Sequence, residues 1–170
     1  MWSLADKHGG EDWMVGKLSA GMAPHEETET SETRFGSVRI NKTNPIIFPR
    51  GLLGMPDKYH FCLTDFPTDK LQQFKLLQSL DDYNLSFITL PLDLKNPIID
   101  EQDIRAACAD LEVGLDDLAL LVIVSVHRSP QSVRLSINAR APLFVDAGRR
   151  LAAQYVFQND KYKVQHIISG

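Results

Sequence analysis

Two glycines and two prolines crowd into FPRGLLGMPDKYHF, Phe48 to Phe61, and that composition fits two different chemistries. A phosphate cradle needs glycines so that successive backbone N–H groups converge on an anion, usually at a helix N-terminus with a lysine nearby. Gly51 and Gly54 are too close together for that loop, and the residues after them read as a strand. Turn chemistry accounts for the same letters: proline presets φ and glycine permits positive φ, folding the chain back between two strands.

Nucleophilic catalysis needs a Ser or Cys beside a His with an orienting acid. Cys62 and Cys108 lie far apart in apolar contexts, outside any CxxC or CxxH spacing, and read as small buried hydrophobes. His60, His127 and His166 fall in or beside predicted strands, and no GxSxG elbow is present. A small hydrolase using Cys62 or His60 is the enzymatic alternative. It requires Cys, His and an acid to converge in a pocket. Asp81 and Asp82 form a turn more readily than a ligand pair, HExxH and EF-hand patterns are missing, and no cofactor is expected. An RNA-binding reading requires Arg134, Arg140, Arg149 and Arg150 to line one groove with stacked aromatics.

The elements around these residues are mostly short strands. RFGSVRIN alternates, NPIIFP is a short apolar run, and KYHFCLT, FKLLQS and LSFITL follow at close intervals. This predicts a mostly antiparallel β domain. Ile104, Ala107, Cys108 and Leu111 recur at helical spacing, predicting one short helix over about 101–111, with Asp100 or Asp103 at its start and Gly114 after its end. Leu118 to His127 is nearly continuous apolar sequence, as expected of a central strand covered on both faces. SVRLSINA alternates, with Val133, Leu135 and Ile137 on one side and Arg134, Ser136 and Asn138 on the other; PLFV, RRLAAQYVF and YKVQHII complete the sheet or barrel.

The chain has 170 residues, enough for one domain. Its net charge of −4 is unevenly spread, because residues 1–33 hold seven Asp and Glu against two Lys. That segment has no sustained period, so residues 1–32 read as a flexible acidic arm and 33–170 as the β domain. Trp2, Trp13 and Met14 are a candidate docking motif on the arm. Asp93 to Asp117 is acidic and Arg128 to Lys163 is basic, each able to steer a partner of opposite charge. With no apolar run of bilayer-spanning length and no secretory h-region, the chain reads as cytoplasmic.

Several segments in order resemble one family. Phe48-Pro49 with Gly51-Leu52 and Gly54, then Gln78-Ser79 with Asp82, Leu85 and Phe87, then Asn138 with Ala141-Pro142 are similar to the flagellar assembly factor FliW family, from about Thr33 to Ile168. The resemblance implies a compact, antiparallel β-barrel-like domain without catalytic activity or cofactor, monomeric when free. It implies that the protein binds flagellin and antagonises the translational repressor CsrA, flagellin competing, without itself contacting nucleic acid or membrane. A flagellin-only chaperone is the narrower form. Met55 stands where the family commonly has an aromatic, and Tyr83 where it has a proline. The candidate partner-binding residues are Asp81, Asp82, Tyr83 and Asn84 in the SLDDYNL turn, Asp100, Glu101, Asp103 and Asp110 on the polar side of the helix, and Met55. Phe48, Pro49, Gly51, Gly54, Gln78, Ser79, Asn138 and Pro142 are candidate structural positions, Asn138 fixing a strand end through backbone hydrogen bonds.

Overall fold

The computed structural model describes residues 28–169. A hairpin of β1 (Thr28–Thr33) and β2 (Gly36–Asn41) comes first. The strands β3 (Ile46–Ile47), β4 (His60–Asp65), β5 (Lys75–Ser79) and β6 (Ser86–Leu92) precede helix α1 (Glu101–Leu111). Then follow β7 (Leu118–Arg128), β8 (Val133–Ile137), β9 (Leu143–Asp146), β10 (Leu151–Gln154) and β11 (His166–Ser169). Seven of these close a barrel in the order β7, β6, β5, β4, β3, β10, β9 and back to β7. All its pairs are antiparallel except β3 with β10.

Closure depends on β7, which changes partners along its length. Leu118 to Leu121 pair with β9, whereas Val124 to Arg128 pair with β8, which in turn carries β11. Alternation along β7 supplies two cores. Ala119 and Leu121 point into the barrel with Phe48, Phe61, Leu77, Leu143 and Val145. Leu118, Leu120, Val122 and Val124 point outward beneath α1, against Ile99, Ile104, Ala107 and Phe144. A strand with both faces covered has no use for polar residues, which explains the unbroken apolar run. Ile104 is fully buried there, and burying one such side chain stabilises by about 1.5–3 kcal/mol.

Residues 28–32, read from sequence as part of an arm, belong to a strand. Thr28 to Thr33 pair residue for residue with β2, and Glu29 bonds Lys42. A six-residue strand of Thr, Glu and Ser buries little of its own. It holds because Val38 and Ile40 of β2 seal Cys62 and Leu76 on the outside of the barrel. Residues 1–27, with Trp2, Trp13 and Met14, lie outside the described residues. A second correction concerns β8: Ser136 is buried under His127, whose Nε2 lies 2.7 Å from the Ser136 hydroxyl, while Val133 is exposed because β8 has run past the barrel.

Helix α1 also ends differently. Asp100 stands at the N-cap position but makes no side-chain cap bond, and Asp103 charges the first turn while its carboxylate bonds Lys161 and Tyr162. At the other end Glu112, not a glycine, takes the left-handed conformation (φ 55°) so that its N–H and that of Val113 reach Ala109 and Cys108 carbonyls. Arg149 fastens this bend by donating to the Glu112 carbonyl. A side chain in that region costs about 1–2 kcal/mol. Glu112→Gly is therefore expected to raise unfolding free energy by about 0.5–1 kcal/mol after glycine's own entropy cost, measured by urea titration; a loss of stability would contradict this reading of the cap.

Candidate protein-recognition surface

The Phe48 to Phe61 connector is a turn built from its own backbone. The Gly51 N–H donates to the Phe48 carbonyl, Leu52 and Met55 exchange a pair of N–H···O bonds, and the Leu53 N–H donates to Gln154 Oε1 at 2.9 Å. These N–H groups are spent on partners inside the protein rather than converging on an anion. Gly51 (φ 64°) is packed where an added Cβ would collide with the Met55 carbonyl and lie 2.8 Å from Pro56 Cα. Gly54 (φ 80°) has the conformation a type II turn needs at its third position, with open space around it. Phe48 is fully buried and meets the Phe61 ring edge-on at 5.2 Å. Pro49 stays exposed at the entry to the turn.

Asp81 ties this connector to the β5–β6 hairpin. One carboxylate oxygen accepts the Tyr59 N–H at 2.6 Å and the His60 N–H at 2.8 Å, and the other lies 2.9 Å from His60 Nδ1. Partial burial pushes the Asp81 carboxyl up, but those hydrogen bonds outweigh it and leave the group below its ordinary value. The hairpin itself is shaped by side chains acting on backbone. Gln78 is buried and its Nε2 donates to the carbonyls of Ser79, Tyr83 and Leu85. Ser79 Oγ accepts the N–H of Asp81 and of Asp82, and Asp82 Oδ1 accepts that of Asn84. Gln78 and Ser79 therefore form the template of the LQSLDD stretch.

These bonds leave a set of apolar residues facing solvent on one end of the barrel. Leu53 is 58% exposed at the turn tip, Tyr59 41% and Tyr83 45%. The Lys42 ammonium, held above its ordinary range chiefly by Glu29 and Tyr83, sits 5.1 Å from the Tyr83 ring. Met55 is half-buried and leans into the barrel core, so the solvent-facing residue of this turn is Leu53. Of the two residues between Gly51 and Gly54, Leu52 is buried and Leu53, at the first corner of the turn, faces outward.

The helical acids are in a different place and already have partners. Lys161 bonds both Asp100 and Asp103, Tyr162 donates its hydroxyl to Asp103, Tyr155 donates to Asp110 at 2.6 Å, and Glu101 holds Arg105 at 2.6 Å. The bonds from Tyr162 and Lys161 keep the Asp103 carboxyl below its ordinary value. The bond to Asp110 pushes the Tyr155 hydroxyl up. Three of these acids thus anchor α1 to residues 155–162. The segment is in turn knitted to the NARAP stretch: Asn138 Oδ1 accepts the Ala141 N–H at 3.0 Å, and Tyr155 and Phe157 donate to the carbonyls of Pro142 and Arg140.

The Cys62 thiol lies under β2 and burial pushes it up to about 11, the reverse of an activated nucleophile. The arginines proposed for an RNA groove separate: Arg140 pairs with Asp160 and Arg149 with Asp146, while Arg134 lies on the β8 extension. No helix among the described residues is long and apolar enough to cross a membrane.

The described residues form a closed β-barrel with one apolar, aromatic-bearing end. The family model of the FliW protein matches residues 29–168. A flagellar assembly factor FliW of Syntrophus aciditrophicus is 31% identical over 139 residues, covering 81% of this chain and 85% of its own. One of Leptospira interrogans is 26% identical over 141 residues, covering 79% and 88%. A crystal structure of a flagellar assembly factor FliW superposes with TM-score 0.59 at 22% identity over 83% of this chain and 96% of its own, a likeness of fold. The chain belongs to the FliW family.

Gly51→Ala is expected to destabilise by about 3 kcal/mol and Gly54→Ala by about 1 kcal/mol, because only the first adds a backbone clash to the strain of positive φ; equal losses in urea unfolding would contradict the packing. Asp81→Ala should cost about 1–3 kcal/mol near neutral pH. Since its folded pKa is depressed, that contribution is present above the unfolded carboxyl value of about 3.9 and is lost as pH falls through the folded value. The gap between wild type and variant should therefore close in acid; a gap that is constant from pH 7 to 3 would refute the assignment.

Proposed function

We propose that this protein is a non-enzymatic cytoplasmic factor that binds flagellin and antagonises CsrA, coupling flagellin synthesis to its secretion. Family membership supports the reading, and the rigid end bearing Leu53, Tyr59 and Tyr83 is the observation that carries it to this chain. Aromatic side chains held by a hydrogen-bonded frame pay little ordering entropy on binding, so exposed Tyr and Leu on such a frame make effective anchors. Flagellin occupies this end. CsrA is bound away from its RNA surface, where a basic patch would meet the exposed helix acids Asp100 and Asp110, both of which also hold α1 in place. Two ligands that exclude one another on one protein each lower the other's apparent affinity, which makes free factor a measure of unsecreted flagellin.

The purified full chain, mixed with flagellin and CsrA of its own organism in a calorimeter, should bind each and release one on addition of the other. Leu53→Asp and Tyr83→Ala should weaken flagellin binding about 10-fold or more, the loss of one anchor of about 1.4–2 kcal/mol, with unfolding midpoints unchanged. Binding of flagellin without CsrA would reduce the function to that of a chaperone. Absence of both at micromolar concentration would overturn the proposal.

A further inference from the structure

Beyond the barrel, the outer halves of β7 and β8 and the edge strand β11 enclose a cleft of about 260 Å³. His127, Ser129, Ser132, Arg134, Gln165 and Ile167 line it, and no carboxylate does. Register sorts these side chains. His127 lies opposite Arg134, Ser125 opposite Ser136, and Ser136 opposite Ile167, so they share one face of the sheet. Arg128, at the rim, lies opposite Val133 and belongs to the other face with Val126 and Leu135. The cleft therefore has one guanidinium, that of Arg134.

The polar groups on this face are held in place yet keep donors to spare. His127 Nε2 lies 2.7 Å from the hydroxyl of Ser136, which is buried, and Nδ1 has no partner among the described residues. The turn at the rim closes on itself: the Ser129 N–H donates to the Ser132 carbonyl at 2.9 Å, and the Ser132 N–H to Ser129 Oγ at 3.1 Å. Arg134 meets no acid among the described residues, whereas Arg105, Arg140 and Arg149 each do. A guanidinium directly across a strand pair from an imidazole is an unfavourable neighbour whenever the ring is protonated. An anion between the two offsets that repulsion and gains charge-assisted hydrogen bonds.

The donors reach the cleft from β7, β8, the turn between them and the residue before β11. That arrangement suits the three terminal oxygens of a phosphate monoester better than the planar pair of a carboxylate. Ile167, 51% exposed, supplies an apolar wall. The volume falls just below the roughly 300–1,000 Å³ of drug-sized pockets, enough for one phosphate on a compact body. A nucleic-acid strand would need a row of cations, and this face has one free arginine.

We propose that this cleft binds a small phosphate monoester, its phosphate between Arg134 and His127 and its apolar body against Ile167. The ligand bridges β7, β8 and β11 and so fastens the edge strand to the sheet. None of these residues belongs to the end bearing Leu53, Tyr59 and Tyr83, so this site and the flagellin reading stand or fall separately.

Phenyl phosphate, inorganic phosphate and benzoate, each titrated into the nitrogen-15-labelled full chain and followed by amide chemical shifts, test the site. Shifts from phenyl phosphate should concentrate in residues 125–136 and 165–168 and saturate with a Kd on the order of 1 mM, about five-fold tighter than inorganic phosphate and about ten-fold tighter than benzoate. Arg134→Gln should weaken phenyl phosphate about ten-fold or more, while Arg39→Gln, the same charge change on β2, should leave it unaltered. Ile167→Ala should remove the advantage of phenyl phosphate over inorganic phosphate. No saturable shift in these residues by about ten times that Kd, or an equal loss in both arginine variants, overturns the proposal. Benzoate binding as tightly as phenyl phosphate would overturn the choice of phosphate. A uridine oligonucleotide binding the same residues more tightly than phenyl phosphate would make the cleft an RNA contact and overturn the small-ligand form. The three-ligand series on wild type decides the matter even if a variant fails to fold.

Discussion

The barrel exists because one strand pairs with three others. β7 carries β6 along one edge and passes from β9 to β8 along the other, so the same backbone that closes the barrel also projects a sheet beyond it. Each face of that strand organises a separate core, one inside the barrel and one under α1. A polar substitution in its first half strikes one core or the other by position, Leu121 the barrel interior and Leu120 the layer under α1. The β1–β2 hairpin on the opposite wall is less demanding, since four buried residues make up its seal.

Acidic residues serve two purposes in this fold, and the distinction decides where partners can bind. Asp81 joins two loops through backbone N–H groups, and Asp103 and Asp110 hold α1 on the barrel through Tyr162 and Tyr155. Removing such a carboxylate changes stability as well as surface charge. Leu53, Tyr59 and Tyr83 differ, because their backbones are fixed while their side chains face water. Recognition that relies on them costs the fold little.

The local patterns were readable from sequence wherever burial has a period. β7 follows from its unbroken apolar run, α1 from Ile104, Ala107, Cys108 and Leu111, and the connector from its glycines and prolines. What escaped depends on contacts distant in sequence. Barrel closure rests on β3 with β10 and β7 with β9, pairings separated by long stretches of chain. β1 has no apolar face to announce it and is held by the strand it pairs with. The acids of α1 look like a free charged face until Lys161, Tyr155 and Tyr162 come back across them. Met55 packs partly against the barrel core while Leu53 faces water, a difference set by the turn's backbone bonds and not by the letters of the turn.

Asp81 and Gln78 lock the connector and the β5–β6 hairpin into one end of the barrel, which we propose receives flagellin. Hydrogen–deuterium exchange of the full chain, alone and with flagellin, tests it most directly. Exchange in both residues 52–60 and 80–86 is expected to slow on binding. Slowing confined to residues 100–112, with the two loops unchanged, would contradict it.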